Sequence, residues 1–278
     1  MKFTKMQGCG NDYVYVNTFE ETVKDPEKIS RNISDRHFGI GSDGLVLIGP
    51  SDIADVKMSI FNADGSEAKM CGNGIRCVGK YSYDNGLVKD TKMSVETLSG
   101  VKTLDLTVGD DNKVVSVRVV MGKPEFRTKE IPVIYPKPLL MREPLEIGGY
   151  PWEVTAVSMG NPHAVVFVDD PNELNLEKIG PLFEYADCFP EGVNTEFVRV
   201  IDTHVIEMRV WERGSAETLA CGTGACASAV ASIANGYCTS PVRVILIGGE
   251  LMIEWDKKSD EIYMTGPAVT VFTGNWEF

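Results

Sequence analysis

Cys71 opens the run Cys-Gly-Asn-Gly, and Cys221 opens Cys-Gly-Thr-Gly. A cysteine set before a helical pattern points its sulfur at the unpaired N–H groups of the first turn. The positive end of the helix dipole lies there too, and both are expected to favour thiolate and lower the thiol pKa. Glycines at 72, 74, 222 and 224 let the backbone turn tightly and approach a ligand closely. The same N–H groups can hold a carboxylate, or the enolate-like charge left when a carbon acid loses its proton. Two such thiols facing one carbon would suffice for inversion: one, as thiolate, takes the proton, and the other, as thiol, returns one to the opposite face. That chemistry requires no metal, imine or other cofactor. Cysteines beside apolar helices are commonly core residues, and Cys77 and Cys226, inside the helices, fit that description. The duplicated setting separates Cys71 and Cys221 from them.

The two motifs lie 221 − 71 = 150 residues apart. The same offset carries Gly10-Asn11 onto Gly160-Asn161 and Asn62 onto Glu212. A Gly-Ser pair and a Glu (Gly65, Ser66, Glu67; Gly214, Ser215, Glu217) precede each cysteine. A chain that repeats at about half its length folds as two related halves. One thiol per half places the expected site at the seam.

The elements repeat as well. Asp12–Val16 and Ala164–Val168 read as strands, as do Leu45–Ile48 and Thr195–Val198, then Val56–Phe61 and Val205–Trp211. A helix is expected from Pro26 through Ile29, Ile33 and His37. Another starts from an Asn175 cap through Leu176, Ile179, Leu182 and Phe183, where Pro181 threatens to break it. After each cysteine the period becomes helical, over Gly74–Tyr83 and Ala225–Ala234, each ending at Asn-Gly (85–86 and 235–236). The second of these has no charged residue, which implies burial on every side. The expected fold class is α+β: two pseudo-symmetric domains, each a mixed, barrel-like sheet wrapped around a central helix, with Val114–Val120 and Val242–Ile247 among the wrapping strands. Met121-Gly-Lys-Pro124 echoes Met264-Thr-Gly-Pro267, so the last strand is expected to rejoin the first half. The domains are then 1–121 with 267–278, and 122–266.

At 278 residues, 43% hydrophobic and 24% charged, the chain suits two soluble domains. A formal charge of −13 argues against a broad nucleic-acid footprint. No run of 18 apolar residues and no apolar leader occurs, and the seven cysteines lack a disulfide-framework spacing. The expected location is the cytoplasm, away from membranes.

The segments Asn62–Arg76 and Glu212–Gly224 closely resemble those of diaminopimelate epimerase, as do Gly10-Asn-Asp-Tyr13 and Gly160-Asn-Pro-His163. The resemblance covers essentially the whole chain in the expected order. It implies a cofactor-independent isomerase converting LL-diaminopimelate to the meso form, for lysine and peptidoglycan synthesis, usually as a homodimer. It also implies the two-domain fold, with the active site in the cleft. Carried over by position, Cys71 and Cys221 are the acid–base pair. Gly72-Asn73 and Gly222-Thr223 cradle the reacting carboxylate. Asn11, Asn62, Asn161, Asn194 and Arg213 grip the substrate, with Arg213 on the distal carboxylate. His163 and Glu212 orient the substrate amine and tune the thiols. Plainer readings stand beside these: Asn161-Pro162 as a turn, and Glu212-Arg213 as a solvated surface pair.

Gly44 stands where many members carry Gln, so that side-chain contact is missing or replaced by backbone or water, and Gln7 and Cys9 replace the common His and Leu. These departures leave room for an altered substrate. The enzymatic alternative is a cofactor-independent racemase acting on proline, hydroxyproline, histidine or lanthionine. A non-catalytic amino-acid-binding protein is disfavoured by retention of both cysteines. Gly39-Ile-Gly-Ser-Asp-Gly44 formally matches a dinucleotide fingerprint but precedes a strand instead of following one, which rules that reading out. No Cys-X-X-Cys occurs and the three histidines are scattered, so metal binding is not expected.

Overall fold

The computed structural model describes residues 1–277; residue 278, the last of the segment expected to rejoin the first half, lies outside them. The described chain forms two compact units, one of residues 1–120 with 265–277 and one of residues 121–264. In order, the elements are β1 (Lys2–Gly8), β2 (Asn11–Asn17), α1 (Pro26–Ser34), β3 (Gly44–Gly49), β4 (Val56–Asn62), β5 (Glu67–Ala68), α2 (Gly72–Asp84), β6 (Lys92–Thr97), β7 (Gly100–Val108) and β8 (Val114–Gly122). There follow β9 (Glu143–Ile147), β10 (Tyr150–Ser158), β11 (Pro162–Phe167), α3 (Leu176–Glu184), β12 (Asn194–Asp202), β13 (Val205–Glu212), β14 (Ala216–Glu217), α4 (Gly222–Ala234), β15 (Val242–Leu246), β16 (Gly249–Asp256), β17 (Glu261–Pro267) and β18 (Val269–Asn275).

The repeat seen in the sequence is a repeat of strand pairing. In the first unit β1 pairs antiparallel with β2, β2 runs parallel to β3, β3 antiparallel to β4, and β4 parallel to β6, which turns back into β7. In the second unit β10, β11, β12, β13, β15 and β16 follow the same succession of directions. Register is matched as well: Tyr13 lies beside Gly44, and His163 beside Asn194. Parallel neighbours need a crossover, which α1 and α2 supply in the first unit and α3 and α4 in the second.

Inside each sheet lies the helix that follows the cysteine. Ten residues of α4 are buried, among them Ala225, Cys226, Ala227, Ala229, Val230 and Ala231, each wholly so, and β10, β11, β12, β13, β15 and β16 all pack on it. Small side chains are what allow strands to approach from several directions. In α2, Ile75, Cys77 and Val78 are fully buried, and Gly79 faces Leu104 and Leu106 of β7 so closely that a Cβ would lie 2.8 Å from the nearer methyl.

Two helix ends differ from expectation. Helix α1 stops at Ser34 and does not reach His37, because the Asp35 carboxylate accepts the N–H groups of His37 (2.7 Å) and Phe38 (2.8 Å) and draws the chain away. Pro181 does not break α3, which runs on to Glu184. One lost hydrogen bond is outweighed by burial of Leu176 and Phe183, the latter packed edge-on against Trp152 and Phe197. Gly180 of the same helix lies beneath Trp211, where a Cβ would come within 2.2 Å of the indole ring. Gly180→Ala should therefore destabilise the protein by about 1–3 kcal/mol, read as a lower urea midpoint at unchanged slope; an unchanged midpoint would contradict this packing.

Candidate active site

The first thiol centre is built where β5 gives way to α2. Cys71 is the N-cap of that helix, and its Sγ accepts the N–H of Gly74 at 3.3 Å. The thiol in turn donates to Oδ1 of Asn11 at 3.2 Å. The Asn11 amide donates to Oδ2 of Asp43 at 2.7 Å, which fixes which end of the amide meets the sulfur. Asp43 is itself held by Arg36 at 3.0 Å, and Arg36 also grips Asp12 at 2.9 Å. Burial works against charge on Asp12, yet Arg36 and Lys5 together hold its carboxyl below the usual carboxylate range. Tyr13 reaches both Asn11 and Cys71 through its hydroxyl, and burial, then the neighbouring Cys71 and Asp43, push that hydroxyl far above the ordinary phenol range.

The second centre repeats the frame with different chemistry. Cys221 caps α4 and its Sγ accepts the N–H of Gly224, again at 3.3 Å. Thr223 Oγ1 lies 3.5 Å from the sulfur. Glu212, at the end of β13, hydrogen-bonds to Cys221 and accepts the hydroxyl of Thr218. Asn161 donates its amide to Thr223 at 3.3 Å and sets Oδ1 against Nε2 of His163 at 3.1 Å. The other nitrogen of His163 meets Glu196 at 2.7 Å, both side chains wholly buried.

The thiol of Cys221 contradicts the expectation of a lowered pKa. Burial, followed by the charges of Glu212 and Glu196, raises it well above the ordinary thiol value, against the smaller opposing pull of Thr223 and the Gly224 N–H. A helix N-terminus favours the thiolate, but removal from water beside two carboxylates outweighs it. Glu212 is raised too, first by burial and then by Glu196, with Thr218, Cys221 and His163 pulling the other way. It is no solvated surface pair with Arg213.

The remaining predicted residues divide. Gly72 and Asn73 lie buried in the first turn of α2; in that of α4 Gly222 is buried and Thr223 half-buried. Asn62 is turned inward on its own hairpin, its amide on Ser66 Oγ at 3.0 Å. Asn194 is committed at both ends, donating to Pro162 O at 2.9 Å and accepting the Arg213 N–H at 3.1 Å. It clasps β11 to the turn that carries Arg213. Glu184 fixes that turn from α3, accepting Trp211 Nε1 at 2.6 Å and Gly214 N at 2.9 Å. Arg213 is exposed and anchors one guanidinium nitrogen on Glu191 O at 2.8 Å. His37 and His204 lie outside both centres, at exposed turns.

Tyr13, Asp43, Glu196 and Thr218 were not among the predicted residues. For Tyr13 a signal existed, since the 150-residue offset carries it onto His163. Position 44 admits no side chain: a Cβ on Gly44 would stand 2.0 Å from the Phe61 carbonyl oxygen. Cys9 adopts φ 53° and packs its buried sulfur 3.6 Å from the Arg76 guanidinium. Burial, more than Arg76 offsets, raises its thiol above the ordinary value. Among the described residues no cluster of three His, Cys, Asp or Glu side chains is placed to hold a metal ion, and no disulfide joins the cysteines.

The sequence profile of diaminopimelate epimerase matches residues 3–127 and 155–271. The chain belongs to the diaminopimelate epimerase family. A diaminopimelate epimerase of Acetivibrio thermocellus is 57% identical over 274 residues, covering 99% of this chain and 98% of its own. Likeness of fold reaches further. A Bacillus anthracis phenazine biosynthesis protein of the PhzF family superposes with TM-score 0.74 at 15% identity, over 100% of this chain and 99% of its own. A probable proline racemase from Agrobacterium radiobacter K84 gives 0.70 at 13%, over 99% and 92%. The two-domain α+β architecture expected from the sequence is thus the fold of this family, a mixed sheet around a central helix in each half.

Because its thiol pKa is raised on folding, Cys221 binds its proton more tightly in the folded chain than in the unfolded one. Its contribution to stability is complete below the unfolded thiol value, near 9, and is lost as pH rises beyond it. Cys221→Ser should flatten the fall of the urea midpoint above pH 9; a variant that falls in parallel with the parent there would refute the shift.

Proposed function

We propose that this protein is an isomerase converting LL-diaminopimelate to meso-diaminopimelate, in lysine and peptidoglycan precursor synthesis, by proton transfer at Cα between two thiols, without a cofactor. The observation that carries the proposal is the matched pair of thiol centres. Each sulfur caps the N-terminus of a buried 13-residue helix and accepts an N–H at 3.3 Å, in a family whose close relative bears that name. In the reaction one cysteine, as thiolate, takes the Cα proton and becomes a thiol. The other, as thiol, delivers its proton to the opposite face and becomes a thiolate, so the protein ends with the same proton count and the roles exchanged. N–H groups of the first turns, at Gly72-Asn73 and Gly222-Thr223, are suited to the carboxylate whose negative charge grows as the proton leaves.

The two centres hold their protons in different surroundings. Cys221, kept protonated by burial, Glu212 and Glu196, is a ready acid. Cys71 is only half-buried and lies against Asn11, whose amide is polarised by Asp43. A proton taken by Cys71 would move its hydrogen onto an acceptor already in place. Arg213, anchored by one nitrogen and otherwise exposed, supports recognition of a distal carboxylate, a group that proline and histidine lack. The site is read as the cleft between domain 1–121 with 267–278 and domain 122–266. Asn11, Asn62, Asn161 and Asn194 serve as binding or supporting residues there.

In D₂O the protein should place solvent deuterium at Cα of diaminopimelate. Cys71→Ala or Cys221→Ala should lower turnover by about 10³-fold or more, with the fold intact by circular dichroism. Parent protein that inverts proline or histidine, or lanthionine alone, while leaving diaminopimelate untouched would replace this substrate assignment. The same reading extends to a homodimer in the cytoplasm, for which light scattering should give twice the 30.5 kDa chain mass; a mass of one chain at micromolar concentration would refute the dimer.

A further inference from the structure

Glu196 on β12 is a carboxylate at an unusual place in a strand. It is wholly buried, as are its neighbours Thr195 and Phe197. Among the described residues one oxygen, Oε2, meets no donor. The other, Oε1, lies 2.7 Å from His163 Nδ1 and 2.7 Å from the point where a Cβ on Gly224 would stand, so it sits under the first turn of α4. A buried carboxylate with one oxygen bare is costly, and the two-thiol proton transfer makes no direct use of it.

From His163 the contacts run in single file to the sulfur. Nε2 of His163 is 3.1 Å from Asn161 Oδ1, Nδ2 of Asn161 is 3.3 Å from Thr223 Oγ1, and that hydroxyl is 3.5 Å from Cys221 Sγ. Counting hydrogens gives the file a direction. An amide oxygen only accepts, so Nε2 must carry hydrogen. The contact between Nδ1 and Oε1 needs a hydrogen of its own, resident on the ring or on the carboxyl. Histidine and glutamate together then hold two hydrogens and no net charge. Asn161 donates to Thr223, which leaves the Thr223 hydroxyl hydrogen to point at sulfur. Every donor runs toward Cys221, the arrangement that suits a thiolate. Were Nε2 bare, the Asn161 amide would turn over and Thr223 would donate to Asn161 instead.

We infer that Glu196 is a positioning residue that anchors the hydrogen on the Nδ1 side of His163, and so sets a one-way relay of hydrogen bonds through Asn161 and Thr223 that receives Cys221 when it gives up its proton. This rests on the proposed role of Cys221, and it explains a difficulty in that role. Glu212 from β13 and Glu196 from β12 both oppose ionisation of the sulfur, so a buried thiol that must cycle needs donors waiting for it. The relay from β11 and the first turn of α4 supplies them.

The test needs no substrate, so its failure is distinct from failure of the proposed reaction. With three histidines in the chain, ¹⁵N spectra of the parent protein should resolve His163 with hydrogen on Nε2 and a strongly deshielded hydrogen between Nδ1 and the Glu196 carboxyl; a bare Nε2 would overturn the inference whether or not any variant folds. Glu196→Gln offers Nδ1 an amide that can donate or accept, so the hydrogen is no longer anchored. Alkylation of Cys221 by iodoacetamide at fixed pH, followed by peptide mass spectrometry, should then slow by roughly tenfold, equivalent to one pKa unit, with Cys71 in the same sample unchanged. A faster Cys221 would mean that Glu196 acts only as a repelling charge, and an unchanged rate that it does not act on the thiol; either result refutes the relay.

Discussion

A helix that begins inside a protein has N–H groups that must find acceptors there, and in this chain a sulfur atom is one of those acceptors. Cys71 and Cys221 each take the N–H of the glycine three residues on. That single contact fixes both the start of the helix and the position of the thiol. The sheet around each helix makes the requirement strict, since Gly74 and Gly224 are both buried and a buried N–H must find an acceptor. The glycines after each cysteine follow from the same crowding: the position of a Cβ on Gly224 is already occupied by the approaching Glu196 carboxylate and the Cys221 sulfur.

Around this common frame the two halves have diverged. Tyr13 and His163 occupy equivalent places in the repeat, yet one is a phenol beside Asn11 and Cys71, and the other an imidazole between Asn161 and Glu196. Cys71 faces an amide held by Asp43; Cys221 faces Glu212 and a threonine hydroxyl. Duplication supplies two thiols in matched geometry, and the substitutions around them make their environments unequal.

Much of this was legible in the residues. The 150-residue offset located both cysteines, both asparagines of the Gly-Asn pairs and the order of strands, because backbone topology is written in the spacing of apolar runs and glycines. What lay beyond reach was set by distant strands meeting at one point. Glu196 lies in a strand and, by type alone, would be placed on a wet face; only the register of β12 against β11 brings it to His163. The sign of the Cys221 shift was missed for the same reason. The helix cap is local and readable, whereas the desolvation and the two carboxylates that overrule it come from β12 and β13. Gly44 was read as a side-chain contact missing or replaced by backbone or water; a Cβ there would stand 2.0 Å from the Phe61 carbonyl oxygen of β4, so the backbone itself takes that space.

The closing strand has a consequence for biosynthesis. Strand β1 is bonded on one side to β2 and on the other to β18, with Lys2 opposite Asn275. During translation the first unit therefore waits, one face of its opening strand bare, until the whole of residues 121–264 has left the ribosome. The later unit, contiguous in the chain, can finish first, reversing the usual N-to-C order of domain folding. Until then the exposed edge of β1 is open to pairing with another nascent chain.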